Sequence, residues 1–350
     1  MSITTLPGLI DIHVHLRDPG QTHKEDFYSG TSAALAGGFT MLADMPNNAV
    51  PITTPQLLQE KIDIAQKKIV CDVGFYLGSL GTNLDEFDKV SHTALGLKLY
   101  LDITTGGFII DEAAVKNIYK AWSSSQPILL HSEEDKVQLI VNEVKKTGKK
   151  SHFCHVSSKH ELEQIITAKE QGLPITCGVC PHHLFLSEDD VSSLGTFGRM
   201  KPYLKSKKDA EYLWRNINYV DVIESDHAPH TKEEKASDTP PFGVPGLETT
   251  LPLLMTAVDQ KRLKETDILR LCYERPKSIL GLPEQKDTHI EVQKGTFVID
   301  DKELHTKCGW SPFNGWKVSA KVKKVILRGN TVFENGTVLS HAGSGKILTI

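Results

Sequence analysis

One pattern runs through the first 285 residues: short apolar runs of strand length alternate with segments of helical period. The runs are GLIDIHVHL, FTMLADM, VCDVGFYLG, ALGLKLYL, PILLHS, SHFCHVSS, LPITCGVC and YVDVIESDH, eight in all. Between them lie helical patterns such as 24–36, ended by Gly37 and Gly38, and 133–146, ended near Gly148. Strict alternation implies parallel strands joined by helices. Eight such units fit a closed (β/α)8 barrel of the TIM type better than an open sheet.

Past Leu280 the period changes. THIEVQKGTFVIDD and KVKKVILRGNTVFENGTVLS alternate in the manner of strands, and Asn335-Gly336 supplies a tight hairpin turn. The predicted organisation is therefore an α/β barrel over 1–285 and a small C-terminal β-rich appendage over 286–350. The loop after the eighth strand, HTKEEKASDTPPFGVPG, is rich in turn formers and is expected to overlie the barrel mouth.

Composition narrows the partners. A net charge of -4, without a long basic run, argues against nucleic acid or an anionic membrane and favours a small-molecule substrate. No apolar run has membrane-spanning length, and the N-terminal residues carry no signal-peptide pattern, so a cytoplasmic protein is expected. The six cysteines read as free thiols in a reducing compartment. Cys177 and Cys180 form an isolated CxxC, without a second pair or a thioredoxin-like context, and read as small core residues.

Against this background the polar residues stand out, because they gather at the C-terminal ends of the strands, where a barrel builds its site. In DIHVHLRDPG, alternation places His13, His15 and Arg17 on one strand face, with Ile12, Val14 and Leu16 on the other. The second strand ends in DMPNN with Asn47, the fifth at His131, the sixth at His155, and the eighth at Asp226 and His230. An isolated HxH is weak evidence, but four histidines and an aspartate converging on one mouth form a nitrogen and oxygen donor set suited to zinc, or to manganese or cobalt. Lys98 sits inside the apolar strand LGLKLYL, where an unpaired charge is expensive. A neutral buried amine can react with carbon dioxide to give a carbamate whose two oxygens can bridge two metal ions. The competing reading is a lysine paired with an acidic neighbour.

HVHLRDPG, MPNN, GLKLY, HSEE, FCHVS and SDHAPHTKEEK, in this order, resemble the dihydroorotases of the amidohydrolase superfamily over nearly the whole chain. The likeness is greatest to the dihydroorotase domain of the multifunctional animal pyrimidine-synthesis protein, and WSPFNGWKV is similar to the family's C-terminal β part. The resemblance implies that His13 and His15 hold the more buried of two zinc ions, that His131 and His155 hold the more exposed one, and that Lys98 bridges both as a carbamate. It implies that Asp226 ligates the buried metal and serves as the catalytic acid and base. Arg17 and Asn47 would grip a substrate carboxylate, with His230, Phe242 and Gly243 completing the pocket. The loop DITTGG, with Thr104 and Thr105, would form a lid. The reaction implied is the reversible closure of N-carbamoyl-L-aspartate to L-dihydroorotate in pyrimidine biosynthesis. A homodimer and association with an aspartate transcarbamoylase are the implied partners.

Two departures bear on this expectation. Gly178 stands where many relatives carry glutamate, and Lys201, in RMKPYL, stands near the substrate where several have arginine or asparagine. Two other functions compete. A dihydropyrimidinase-like or allantoinase-like enzyme would act on a neutral cyclic ureide, which leaves Arg17 unexplained. A catalytically silent dihydroorotase-like scaffold for aspartate transcarbamoylase should have lost ligands, whereas this chain retains the set.

Overall fold

A computed structural model of the chain describes residues 2–105 and 108–350. It begins with β1 (Ile3–Pro7), which lies outside the barrel. The barrel starts at β2 (Leu9–Val14), followed in parallel by β3 (Phe39–Asp44) and β4 (Asp72–Phe75). After Tyr76 the same strand resumes as β5 (Leu77–Gly78). The sheet then runs through β6 (Leu97–Tyr100), β7 (Ile128–His131), β8 (Ser151–Phe153), β9 (Ile175–Val179) and β10 (Val222–Ile223). A parallel bridge between Val14 and His227 joins last strand to first, and His15 N donates to His227 O at 2.8 Å. With β4 and β5 counted as one strand, all eight predicted runs take their places in a closed barrel.

Side-chain alternation decides what faces in. Leu97, Leu99, Ile128 and Leu130 point outward and pack with helix residues such as Val115, Ile118, Ile140 and Leu162 in one large core. Their neighbours Lys98 and His131 are thereby turned to the interior. The helix expected over 24–36 is Phe27–Ala36: Asp26 caps it, accepting from Ser29 N, and stops it from starting earlier. The two residues before the cap have other tasks, since Glu25 is fully buried and accepts from Thr306 Oγ1 and Lys307 N, while Lys24 pairs with Glu234 at 3.2 Å. Helix Asp135–Thr147 ends as expected at Gly148, which takes a left-handed φ of 66°.

The appendage is an antiparallel sheet of β11 (His289–Val298), β12 (Lys317–Leu327), β13 (Asn330–Glu334) and β14 (Thr337–Val338), with β1 added along β11. The sheet thus draws its fifth strand from the other end of the chain. The hairpin at Asn335-Gly336 has φ of 47° and 82°, both positive as a type I′ turn requires. A third core, containing Met200, Val244, Trp310 and Phe313, fastens the appendage to the loops above the barrel, and Trp310 Nε1 donates to His230 O at 2.7 Å. Among the described residues no helix is long and apolar enough to cross a membrane.

Candidate metal centre at the barrel mouth

β2 delivers His13 and, one residue past its end, His15; β7 ends on His131; His155 follows β8 and Asp226 follows β10. All are buried, and they meet. Asp226 Oδ1 lies 3.3 Å from His13 Nε2 and 3.0 Å from His15 Nε2, while His131 Nδ1 lies 2.9 Å from His155 Nε2. The His13 and His155 ring centroids are 5.1 Å apart, and ligand atoms of His13, His155 and Asp226 can be chosen within 4.8 Å of one another. Burial does not rank the two histidine pairs by depth: exposure is 1% and 8% for His13 and His15, and 2% for both His131 and His155. His131 Nε2 and His155 Nδ1 are buried without a hydrogen-bond partner. Buried polar atoms are seldom left so, and ring nitrogens without a partner are donors that a cation can take up.

Backbone strain marks the same places. Arg17, His155 and Asp226 take positive φ of 62°, 40° and 43°. Each such residue costs on the order of 1 to 3 kcal/mol, tolerated where the surroundings hold a side chain in a required position. The electrostatics agree. Burial, with Lys98 nearby, drops His13 to about 4, and burial lowers His15 and His155 well below the usual imidazole range, so all three are neutral and able to ligate. Burial also lifts the Asp226 carboxyl above the ordinary aspartate range.

Among the described residues three lysines are completely buried, and one of them lacks a compensating partner. Lys61 pairs with Asp44 at 2.7 Å. Lys235 donates to the carbonyl oxygens of Arg199, Pro241 and Gly243 at 2.8 to 3.1 Å. Lys98, on β6, has only the Cys154 thiol at 3.1 Å and the Tyr100 ring 5.2 Å away. Among the described residues it has no ion-pair partner, so the reading of a lysine neutralised by an acidic neighbour does not apply.

Around this set the expected substrate residues form a rim. β2 ends at Val14, so Arg17 reaches the mouth through its left-handed turn rather than by strand alternation. Its Nε donates to Pro229 O at 3.1 Å and a terminal nitrogen lies 3.1 Å from His230 Nε2, but among the described residues no carboxylate pairs with it. Asn47 Oδ1 meets His15 Nδ1 at 2.7 Å, which leaves His15 Nε2 as the free ligand atom; Asn47 Nδ2 donates to Thr105 O at 3.0 Å. Thr105 reaches across the mouth: its Oγ1 donates to Phe242 O at 2.8 Å and lies 2.9 Å from Phe242 N. The cross-mouth contact is made by Thr105 and not by the neighbouring Thr104; Gly106 and Gly107 of that loop lie outside the described residues. Phe242 O also meets His230 Nε2 at 2.9 Å, and Gly243 adopts φ of 132° where a Cβ would come within 2.6 Å of Ala228 O, so only glycine fits. Lys201 is occupied by Glu133 at 3.5 Å and sits 4.0 Å from the Tyr203 ring.

Sequence reading missed Glu224, a fully buried carboxylate at the end of β10. It lies 3.5 Å from His13 Nδ1 and 3.4 Å from His152 Nε2, and accepts from His155 N. Although burial pushes its carboxyl up, His13 and His152 hold it well below the usual range. Glu224 fills the space beside Gly178: a Cβ there would lie 2.4 Å from its Cδ. The glutamate that the resemblance leads one to expect on β9 has, in this chain, a counterpart in Glu224 just past the adjacent strand. His13, Cys154 and Glu224 also offer ligand atoms within 4.8 Å of one another. Volume is not what distinguishes this mouth, since a cleft of about 980 Å³ between helix Leu247–Asp259 and the appendage contains none of these residues.

The model of the amidohydrolase family matches residues 4–332. The chain belongs to the amidohydrolase family. Among curated relatives, the multifunctional protein CAD of Squalus acanthias is 43% identical over 97% of this chain, and the multifunctional protein pyr1-3 of Dictyostelium discoideum 41% over 98%. The chain spans 15% and 16% of their lengths. A dihydroorotase of Pyrococcus abyssi is 34% identical over 98% of this chain and 87% of its own. Among solved structures, the L-hydantoinase of Arthrobacter aurescens superposes with a TM-score of 0.93 at 24% identity, covering 99% of this chain and 89% of that one. An inactive dihydroorotase-like domain of a CAD-like protein from Chaetomium thermophilum does so at 0.85 and 22%, covering 99% and 100%. At these identities the two structures show a shared fold and nothing about substrate.

Proposed function

We propose that this amidohydrolase is a dihydroorotase, interconverting L-dihydroorotate and N-carbamoyl-L-aspartate at a binuclear zinc centre. The observation that carries the reading is the pairing of a complete ligand set with an unneutralised guanidinium. His13, His155 and Asp226 offer ligand atoms to one another, His15 adjoins Asp226 and His131 adjoins His155, all near a buried, unpaired Lys98, and Arg17 waits at the rim without an anion. Dihydroorotate has the carboxylate that would complete Arg17, whereas a neutral cyclic ureide leaves that charge unmatched. The dihydroorotases among the relatives support the same choice. The intact ligand set weighs against a silent scaffold.

Lys98 would attack carbon dioxide through its amine, forming a nitrogen-carbon bond and releasing a proton, and the resulting carbamate would give the metal pair its shared anionic ligand. When bound, the metals would polarise the scissile carbonyl and acidify water to supply the nucleophile near neutral pH. Arg17 fixes the substrate by its carboxylate. In hydrolysis Asp226 takes the proton of the attacking water and hands it to the ring nitrogen as the amide bond breaks; ring closure reverses the transfer. Thr105, bonded to Phe242 across the mouth, helps exclude bulk water. The same reading carries a cytoplasmic location, a homodimer and association with an aspartate transcarbamoylase. Metal analysis combined with a dihydroorotate hydrolysis assay tests it: bound divalent metal and turnover together are expected, and metal without turnover on dihydroorotate would refute the assignment.

A further inference from the structure

We infer that Cys180, His182 and His183 form a further metal site, separate from the binuclear centre and suited to a borderline-soft divalent cation of the zinc class. The three belong to CPHHL, where β9 passes into the short helix Pro181–Phe185, and all are at least 97% buried. One ligand atom from each lies within 4.8 Å of the others. Such a compact group could be incidental packing, and the hydrogen bonding decides against that. His183 Nε2 meets Pro202 O at 3.0 Å, a contact in which the ring nitrogen must be the donor. The Nδ1 lone pair is then free, and Nδ1 is buried with no partner. A backbone carbonyl holding one ring nitrogen while the other faces inward is the usual setting of a metal-binding histidine. His182 Nε2 is likewise buried without a partner, and the two rings stand at 64° with centroids 4.4 Å apart. Burial first, and then the nearby Asp226 and Glu224 carboxylates, push the Cys180 thiol well up, so the thiol is the form present before a metal binds.

One sulfur and two nitrogens leave a fourth tetrahedral position for water, a donor set that favours zinc over magnesium or manganese. On binding, the Cys180 thiol gives its proton to solvent and the thiolate donates to the metal, with no change in oxidation state. The CxxC reading is altered accordingly: Cys177 packs in the main core, whereas Cys180 becomes a ligand without forming a disulfide.

Cobalt(II) reports the sulfur directly, because a thiolate ligand adds a near-ultraviolet charge-transfer band that the nitrogen and oxygen donors of the binuclear centre do not give. The metal-stripped chain is titrated with cobalt(II), following the near-ultraviolet thiolate band for this site. The expected result is a thiolate band in the wild type that is lost in C180S and in H182Q and retained in C154S. If C180S fails to fold, H182Q alone decides. No thiolate band, or a band that survives C180S or H182Q, overturns the inference. So does a band lost only in C154S, which would place the thiolate contact beside His13 and Glu224. Dihydroorotate hydrolysis is assayed in parallel on the metal-loaded wild type, so failure here is distinguishable from failure of the dihydroorotase reading.

Discussion

Replacing Arg17 by methionine separates dihydroorotate from neutral cyclic imides. The arginine is 4% exposed, so its pairing with a substrate carboxylate takes place largely out of water. Removing one member of such a pair costs on the order of 2 to 5 kcal/mol, or roughly 30-fold to 4,000-fold in kcat/KM. Two contacts complicate the measurement, since Arg17 also donates to Pro229 O and lies 3.1 Å from His230 Nε2. Losing them disturbs the pocket for every substrate alike. The informative quantity is therefore a ratio: kcat/KM for L-dihydroorotate over kcat/KM for dihydrouracil, in wild type and R17M at equal metal content. Methionine keeps the apolar stem, which limits collapse of the rim. The ratio should fall by at least about 30-fold. Equal losses on both substrates would show that Arg17 only supports the loop and would restore the dihydropyrimidinase reading.

Lys98→Ala should lose metal and activity together, with partial rescue by a small carboxylic acid in the vacated bridge; full unrescued activity would exclude a carbamate. Asp226→Asn should lower turnover by roughly 10²- to 10⁴-fold while a substrate-like inhibitor still binds, and near-normal turnover would assign the proton transfer elsewhere. Because the Asp226 base must be ionised, hydrolysis should rise towards alkaline pH. Synthesis, which needs the protonated form, should gain towards mildly acid pH while metal is retained; parallel pH profiles in the two directions would contradict this proton path. Gly178→Ala should cost about 1 to 3 kcal/mol in denaturant unfolding, because the new methyl group displaces Glu224, and the paired exchange G178E with E224G should recover part of the loss. Unchanged stability in G178A would mean that Glu224 moves aside freely.

The barrel was readable because its strands are apolar, evenly spaced and separated by helical periods. No single histidine was diagnostic; His13, His15, His131, His155 and Asp226 stood out because they fall together at the same ends of the strands. What stayed hidden were relations between distant positions. Glu224 looked like an ordinary strand-end acid in IESDH; its meaning depends on a space left open by Gly178 on the neighbouring strand. Asn47 was visible, but not that its amide oxygen would be taken by His15. Thr104 and Thr105 are chemically alike, and only the path of the loop chooses between them. β1 is five residues long and carries Pro7, and its pairing with β11 joins segments from opposite ends of the sequence. Arg17 was placed correctly at the mouth by an argument that does not hold, since the strand stops at Val14 and a turn delivers the side chain.

The seam where β2 meets the last strand runs through the centre, and it sets an order of events on the ribosome. His15 and Asp226, 3.0 Å apart in the folded chain, are separated by 211 residues of sequence. At roughly 5 to 20 residues per second, the histidine emerges on the order of 10 to 40 seconds before the carboxylate exists. Throughout that interval β2 has no closing partner and the nascent chain offers only part of the ligand set. On the dihydroorotase reading, metal acquisition would therefore be a late event, because the complete set of candidate ligands exists only after synthesis of the eighth strand.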